Sequence, residues 1–466
     1  MNRRTTRLPV VLAVLGAVVL GVAMFVMAAA GQPLSTVDEH THLDTQFKVH
    51  HGHYPYRGDL MGDEVVQEWA CGVGHVSGPT LAPCGDPALS AESLPSGKYT
   101  SGYIHYPTYF LGGEAFRWVT DTVLGDGEPI DRYREYAAFW MVLAMVLCGW
   151  ATWRLDLRGA DLVAGTLVPV AASGIAFYGT IVNPSASALA AGTLIGAAGL
   201  RWVLQGRGYV WLLAATALAA SISVTDSLPA GAFILAVLGA LLARRRGWRI
   251  PGEWRPRLWH AVLLGLVVLL PVVVYGRIIE ARATVDNATL YAFAPASGFW
   301  AAVNGGVQEL VVIHSPWFEG YVMSIVGDHP FARSLRSLGA GVPGLVTLLV
   351  FGVLLLYVGG LVLRGREGAP HPAEARTSDG GRELPLVWLL TICTLVVLVL
   401  YPPALRVSNM MTFGIDFGIV SRYSIPFAPL LTWLLLKVQP HPWLGRVAAT
   451  LALVSAVTLS LSALPV

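Results

Sequence analysis

The chain has 466 residues, of which 55% are hydrophobic and only 13% are charged. A soluble domain carries about 25% charged residues, so this composition excludes a soluble globular protein and indicates a polytopic membrane protein. The net charge of +2 is uninformative, but the positions of the charges along the chain are not.

Apolar segments recur from one end of the chain to the other. A helix needs about 20 residues to cross the hydrocarbon core of a bilayer. We therefore predict an all-α polytopic membrane protein, a single domain over residues 1–466 with about eleven transmembrane helices. The predicted spans are residues 9–30, 134–153, 161–179, 185–204, 209–225, 228–243, 258–276, 341–363, 385–404, 425–438 and 445–464.

Lysine and arginine set the predicted orientation. Arg3, Arg4 and Arg7 precede the first span, which places the N-terminus in the cytoplasm by the positive-inside rule. Every second connection is then predicted to be cytoplasmic. Each of these connections is basic, through Arg154 and Arg158; Arg201 and Arg207; Arg244, Arg245, Arg246, Arg249, Arg255 and Arg257; Arg364, Arg366, Arg376 and Arg382; Lys437 and Arg446.

Two long connections are predicted on the outer side, 31–133 and 277–340, with a short third one at 405–424. The inner connection 364–383 has the composition of a disordered linker. The Arg-rich segment 244–257 is interpreted as a contact with lipid headgroups rather than a nucleic-acid site, so no nucleic-acid partner is expected.

The first outer connection opens with Asp38-Glu39-His40-Thr41-His42, directly after the first span. Loops of this length are usually functional, and a carboxylate at a membrane boundary can serve as a general base. Two other interpretations stay open. The two acids can cap the next helix, and the histidines of this loop can bind zinc, although HExxH is absent.

Two cysteines, Cys71 and Cys84, share the same outer loop, whereas Cys148 and Cys393 lie within spans. A cysteine pair in an extracytoplasmic loop predicts a disulfide. The alternative is two free thiols. A zinc site is disfavoured because the spacing of these two cysteines does not match the paired CxxC motifs of zinc sites.

A helix is predicted between Tyr106 and Leu124, where aromatic and apolar residues alternate with Glu114, Arg117 and Asp121 at helical spacing. This pattern is typical of an amphipathic helix lying along the outer membrane surface. A plain loop helix packed on the protein fits the pattern equally well.

Four short segments, taken in this order, resemble a known family. They are Asp38-Glu39-His40-Thr41-His42 followed by Gly52 and Pro55, then His105-Tyr106-Pro107-Thr108-Tyr109, Val182-Asn183-Pro184 and Ser421-Arg422-Tyr423-Ser424-Ile425-Pro426. The layout is similar to the GT-C superfamily of membrane glycosyltransferases, and most similar to its bacterial dolichyl-phosphate-mannose mannosyltransferase-like branch. Two positions depart from the family pattern, since Thr108 replaces a second proline and Pro184 follows Asn183 in place of a polar residue.

The resemblance implies an enzyme that transfers a sugar from a polyprenyl-phosphate donor to a cell-envelope acceptor. Its site would lie on the extracytoplasmic face of a bacterial plasma membrane. Such a transfer needs a base for the acceptor hydroxyl and positive charge near the departing phosphate. We predict Asp38 as the base, Glu39 as a second catalytic or orienting group, and Arg422 as the phosphate ligand, because guanidinium binds phosphate in a fork.

Further residues complete the predicted site. Asp38 and Glu39 are also candidate ligands of a divalent cation such as Mg²⁺ or Mn²⁺. The remaining candidate substrate-binding residues are Tyr423, His42, His105, Tyr106 and Arg406, with Arg277 in reserve.

Two other function classes stay open. A transporter or lipid flippase would need ionisable groups near the bilayer midplane, and the predicted spans are nearly free of them, although Asp226 lies at the outer end of a predicted hairpin. An envelope polysaccharide polymerase or ligase would use a later outer loop. The loop 277–340 offers His314, Glu319, Asp328, His329, Arg333 and Arg336.

Overall fold

The fold comes from a computed structural model. It describes residues 7–30, 34–35, 38–71, 86, 88–94, 97–290, 298–311, 334, 384–413, 418, 421–439 and 441–463. Several predicted features lie outside these residues: the span 341–363, the linker 364–383, most of the loop 277–340, and the pair Cys71–Cys84, of which Cys84 and the Cys71 side chain are not described.

The described chain is helical, and its only β feature is one isolated antiparallel bridge between Leu60 and Tyr99. The α-helices are α1 Arg7–Ala28, α2 Glu39–His50, α3 Asp63–Cys71, α4 Pro107–Leu124, α5 Pro129–Arg154, α6 Ala160–Leu167, α7 Ser173–Ala176, α8 Ala188–Gln205, α9 Tyr209–Ile222, α10 Ala230–Arg245, α11 Leu258–Arg282, α12 Asn287–Leu290, α13 Phe299–Val311, α14 Leu386–Phe413, α15 Ala428–Val438 and α16 Pro442–Ser462. Short 3₁₀ turns cover Ala91–Ser93, Gly102–Ile104, Phe177–Gly179, Pro184–Ser187, Thr225–Ser227 and Ser421–Phe427.

Seven helical segments in the described part of the chain are long and apolar enough to cross a membrane. They are Arg7–Ala28, Pro129–Arg154, Pro184–Gln205, Thr225–Arg245, Leu258–Arg282, Leu386–Met411 and Pro442–Ser462. The all-α, multi-pass class predicted from the sequence is confirmed. The total of eleven spans stays a prediction, because Tyr209–Ile222 and Ala428–Val438 are shorter helices.

Residues 161–179 do not form the continuous span that their hydropathy predicts. Helix α6 ends at Leu167, and the chain then makes turns through α7 and the 3₁₀ turn Phe177–Gly179. These turns are buried by neighbouring helices, so their polar backbone groups are enclosed by protein rather than lipid. The segment is a broken helix that leads into Val182 and Asn183.

Helix α14 extends beyond the boundary predicted at residue 404, and the predicted outer connection 405–424 therefore begins as helix. The helix passes through Pro402 and Pro403 and ends only at Phe413. Its second half packs against α13, where Arg406 Nη1 lies 3.0 Å from Glu309 Oε1. This contact with α13 stabilises the polar last turns of α14 as helix, whereas a hydropathy profile assigns the same residues to a loop.

The connection 31–133, predicted to be outer, folds into a small helical layer over its described residues. Helices α2 and α3 enclose a separate apolar cluster that includes Leu43, Val65 and Trp69. Tyr133, from the first turns of α5, belongs to the same cluster. The layer is thereby fixed over one end of the spanning helices, and this end carries the residues described next.

Candidate active site

Asp38 immediately precedes α2 and has a left-handed backbone conformation, with φ 59° and ψ 8°. Aspartate tolerates this conformation better than most residues do. Its backbone carbonyl accepts hydrogen bonds from the N–H groups of Thr41 and His42, but its side chain makes no capping hydrogen bond. Helix capping is therefore not the role of the Asp38 carboxylate in this structure.

The Asp38 carboxylate instead meets Arg422, the residue predicted to bind phosphate. Arg422 Nη2 donates to Asp38 Oδ2 over 2.7 Å. The Arg422 side chain is 8% exposed and that of Asp38 is 53% exposed. Asp38 Oδ1 and the buried Arg422 Nη1 have no hydrogen-bond partner among the described residues.

Close backbone packing positions Arg422. It lies in the 3₁₀ turn Ser421–Phe427, which packs against α8. A Cβ on Gly192 of α8 would lie 1.9 Å from the carbonyl oxygen of Pro426, so only glycine permits this approach. The guanidinium also lies 5.6 Å from the centroid of the Tyr423 ring, within the range of a cation–π contact.

Glu39 is adjacent to Asp38 but has a different environment, because it is completely buried. Its Oε1 accepts from Arg134 Nε at 2.8 Å and from the Val182 N–H at 3.0 Å. Its Oε2 accepts from Arg134 Nη2 at 3.1 Å and from the Ser35 N–H at 2.7 Å. A carboxylate has about four acceptor sites, so this one is fully occupied and does not fit as a ligand in a metal site shared with Asp38.

The Asn-containing turn lies against Glu39. Val182 provides the N–H just described, and the Asn183 side chain accepts from the Ser185 N–H at 2.9 Å, which starts the 3₁₀ turn Pro184–Ser187. The broken helix thus ends in a rigid turn directly under the start of α2.

Three histidines surround the Asp38–Arg422 pair. Burial lowers the pKa of His40 to about 4, although the nearby Asp38 and Glu39 oppose this shift. Burial and the Arg422 charge lower the pKa of His105 to about 4 as well. The pKa of His42 lies well below its usual value, through burial and then the neighbouring His105 and Arg422. All three imidazoles are therefore neutral at pH 7, which leaves Arg422 as the cation of this group.

His42 and His105 are in contact, with ring centroids 4.7 Å apart. Neither ring nitrogen of the buried His42 has a hydrogen-bond partner among the described residues. The backbone of His105 is fixed separately, since its carbonyl accepts from the hydroxyls of Tyr54 and Tyr275. The Tyr106 ring lies 4.6 Å from that of Tyr275, which connects the second motif to α11.

Arg406 and Asp226, two further candidates from the sequence, have partners other than Asp38 and Arg422. Arg406 pairs with Glu309 on α13, and no described contact joins it to Asp38 or Arg422. Asp226 is buried, and its Oδ2 accepts from the Ser187 hydroxyl at 3.0 Å, just after the Asn183 turn.

Over the described ranges, no group of three or more His, Cys, Asp or Glu side chains is placed to hold a metal ion. The divalent cation stays a prediction.

The sequence interpretation missed two residues. Arg134, the partner of Glu39, is fully buried; its signal was a charge at the start of an apolar span, where an unpaired cation would be unfavourable. Glu114 accepts hydrogen bonds from Gln46 and Tyr133, each at 2.7 Å, and lies 3.0 Å from His50 Nδ1. The charged face of α4 therefore contacts the protein, whereas Leu111 and Trp118 on its other face are exposed.

Comparisons with known proteins add one similarity. No protein-family model matches the chain, and no curated protein sequence matches it. Among solved structures, the chain is similar to the crystal structure of ArnT from Cupriavidus metallidurans bound to undecaprenyl phosphate, with 16% sequence identity and a TM-score of 0.44. The match covers 92% of this chain and 61% of that chain, so this chain spans about three fifths of the length of that structure.

Proposed function

We propose that this chain is a membrane glycosyltransferase of the GT-C type. It transfers a sugar from a polyprenyl-phosphate donor to a hydroxyl of an envelope acceptor, on the extracytoplasmic face of a bacterial plasma membrane. The observation that carries the proposal is the 2.7 Å hydrogen bond between Asp38 and the buried Arg422. It joins a half-exposed carboxylate to a guanidinium that has a second, unpartnered nitrogen.

The convergence of the four sequence segments supports the proposal. Asp38 contacts Arg422, Glu39 contacts Val182, and His42 contacts His105. These contacts join all four segments that resemble the GT-C pattern. Structural residues scattered along a helical chain have no reason to meet around one exposed carboxylate, whereas the parts of one site must meet.

The residues support a balanced transfer step. Asp38 Oδ1 takes the proton of the acceptor hydroxyl as its oxygen bonds to the anomeric carbon of the sugar. The bond between that carbon and the donor phosphate oxygen breaks, and its electron pair stays on the phosphate. Arg422 Nη1 donates to this phosphate, whose negative charge increases as it leaves. Polyprenyl phosphate is the second product.

Glu39 takes a positioning role in this proposal rather than a catalytic one. Its four hydrogen bonds connect the start of α2 to Arg134 of α5 and to Val182. They hold Asp38 at a fixed place above the spanning helices. The Glu39 oxygens have no acceptor site left for a divalent cation, so Glu39 does not fit as a metal ligand in this step.

His42, His105 and Tyr106 are proposed to contact the sugar or the acceptor. Neutral imidazoles donate and accept hydrogen bonds but do not neutralise a phosphate. Because burial lowers the pKa of His42 and of His105, we propose Arg422 as the ligand of the phosphate. Tyr423, in cation–π range of Arg422, would keep the guanidinium in place when the donor arrives.

The direct test uses the purified full chain with polyprenyl-phosphate sugars labelled in the sugar. The proposal expects release of polyprenyl phosphate and transfer of the label, with a donor–sugar combination identified by screening. A polyprenyl-diphosphate oligosaccharide is the matched control. Consumption of that substrate alone would indicate a polymerase or ligase. Movement of labelled lipid across vesicles without bond cleavage would indicate a flippase. Either result overturns the proposal.

A further inference from the structure

A cavity lies between α5, α8 and α9, with a volume of about 600 Å³. It is separate from the Asp38–Arg422 pair, and none of its lining residues belongs to the four motif segments. Its lining changes in character along its length. Arginine and tryptophan side chains lie at one end, and leucine and alanine side chains follow.

The polar end of this cavity is one membrane thickness away from the candidate active site. Arg134, at the start of α5, binds Glu39, and Arg154 ends the same helix 20 residues later. At 1.5 Å per residue this separation is about 30 Å, the thickness of the hydrocarbon core. Helix α8 runs in the same direction, from the turn at Pro184–Ser187 to Arg201 in its last turns. The cavity therefore opens at the opposite membrane surface.

The charge at this end is unbalanced. Arg154, Arg158 and Arg201 line the cavity together with a single acid, Asp156. Asp156 is paired with Arg158 at 2.8 Å. Arg154 and Arg201 have no ion-pair partner within the described ranges, so two cations from two different helices face one opening.

The remaining lining matches the rest of a lipid molecule. Trp150, Trp153 and Trp211 are exposed by 52%, 52% and 68%, and tryptophan is enriched at the headgroup level of membranes. Beyond them, Leu194 on α8 and Leu218 on α9 continue the cavity about 10 Å toward the bilayer centre, seven residues from Arg201 and Trp211 respectively. An arginine that only anchors a helix would not need this apolar extension.

We infer that this cavity is a binding site for an anionic glycerophospholipid of the leaflet opposite the candidate active site. Its phosphate is bound by Arg154 and Arg201, and one acyl chain lies along Leu194, Ala198, Ala215 and Leu218. The charge excess selects the anionic headgroup, and the apolar walls select a lipid over a free anion. Because α5 and α8 also carry residues of the candidate site, a lipid between them would stabilise the helices on which that site is built.

The test uses the full chain, delipidated in detergent and titrated with phosphatidylglycerol or phosphatidylcholine, with bound lipid counted by native mass spectrometry. We expect one phosphatidylglycerol bound in preference to phosphatidylcholine. The double variant Arg154→Gln/Arg201→Gln should weaken phosphatidylglycerol binding by about 30-fold, since each cation near an anionic headgroup contributes about 1 kcal/mol and 1.4 kcal/mol is tenfold. Ala198→Phe, which narrows the cavity without changing charge, should weaken both lipids.

The matched control is Arg207→Gln/Arg446→Gln, which removes two exposed cations that do not line the cavity. It should keep the preference. Equal binding of the two lipids by the unmodified chain would overturn the inference. An equal loss in the control would also overturn it, by showing general surface attraction. Inorganic phosphate displacing the lipid at low concentration would show an anion site without lipid selectivity, and would contradict it as well.

Discussion

Asp38 and Arg422 are 384 residues apart in the chain, and their side chains are hydrogen-bonded at 2.7 Å. The carboxylate lies just before α2 and the guanidinium in the turn before α15. Their environments differ, since Arg422 is buried while Asp38 is half exposed. This asymmetry leaves a carboxylate oxygen open to an acceptor and keeps the cation away from bulk water, where its attraction for phosphate would be weaker.

Replacing Arg422 should weaken the binding of the donor, because Arg422 is proposed to bind the donor phosphate. Arg422→Lys keeps the positive charge but loses the second guanidinium nitrogen, so one side chain can no longer donate to Asp38 and to the phosphate in the same fixed geometry. Loss of one charge-assisted hydrogen bond removes about 1.5–3 kcal/mol, so we expect affinity for the polyprenyl-phosphate donor to fall about 10- to 100-fold. Equilibrium binding of the labelled donor measures this. Arg255→Lys, an exposed residue at the far end of the helices, is the control, and equal affinity in both variants would rule out the assignment.

The Glu39–Arg134 pair should be essential for stability. Removing one partner of a buried ion pair costs about 3–5 kcal/mol because the other charge remains buried. Arg134→Gln should therefore lower the free energy of unfolding, measured by denaturant titration in detergent, by about that amount. Glu39→Gln/Arg134→Gln should lose less than the two single variants added together.

The control for this pair is Arg207→Gln. Arg207 lies 3.4 Å from Glu253, and both side chains are exposed, by 75% and 67%. Exposed pairs contribute little, so this variant should unfold like the unmodified chain. Additive losses at Glu39 and Arg134 would contradict the pairing.

Stability should depend on pH through the buried histidines. The pKa values of His40 and His105 are about 4 in the folded chain, against 6.5 for a free histidine. Between pH 4 and 6.5 the unfolded chain binds protons that the folded chain does not, so stability falls as pH falls through this window. Above pH 6.5 this contribution is constant.

Thermal unfolding at pH 7.5, 6 and 5 checks this dependence. His105→Gln should reduce the slope between pH 6.5 and 4, whereas His51→Gln, at an exposed position, should not. A slope that is unchanged in His105→Gln would show that other groups are responsible.

Helix α4 should lie on the membrane with its apolar face in lipid. Leu111, Trp118 and Val119 are exposed on one face, whereas Glu114, Arg117 and Asp121 contact the protein. A spin label at Trp118→Cys in vesicles should be more accessible to oxygen than to a water-soluble nickel chelate. A label at Asp126→Cys, in the exposed turn after the helix, should show the opposite order. The same water accessibility at both positions would mean that α4 faces solvent.

The sequence predicted much of the site because the site depends on depth in the membrane. Asp38 and Arg422 each lie at a boundary of an apolar segment on the side predicted to be outer, and the phosphate of the proposed lipid-linked donor would remain at that level. A shared depth predicts the same membrane surface for both residues, and the resemblance of their segments to one family pattern predicts that they belong to one site. The different environments of Asp38 and Glu39 could not be predicted, because they depend on Arg134 and Val182, which are distant in sequence.

The errors in the predicted spans also have a physical cause. A hydropathy profile records apolar content, and residues 161–179 are apolar whether they form a helix or buried turns. Conversely, the end of α14 carries Arg406, whose pairing with Glu309 makes a helical end favourable where the profile indicates a loop. Both differences arise from contacts between segments rather than from the segments themselves.

The most direct test of the proposed mechanism is the rate of sugar transfer by Asp38→Asn, measured with donor binding on the same protein. The substitution keeps the shape of the side chain but removes the base. We predict a fall in transfer of about 10²- to 10⁴-fold, the usual contribution of a positioned base, with donor binding retained. Asp63→Asn, which changes an exposed acid at the start of α3, should transfer normally. Near-normal transfer by Asp38→Asn would contradict the assignment of Asp38 as the base.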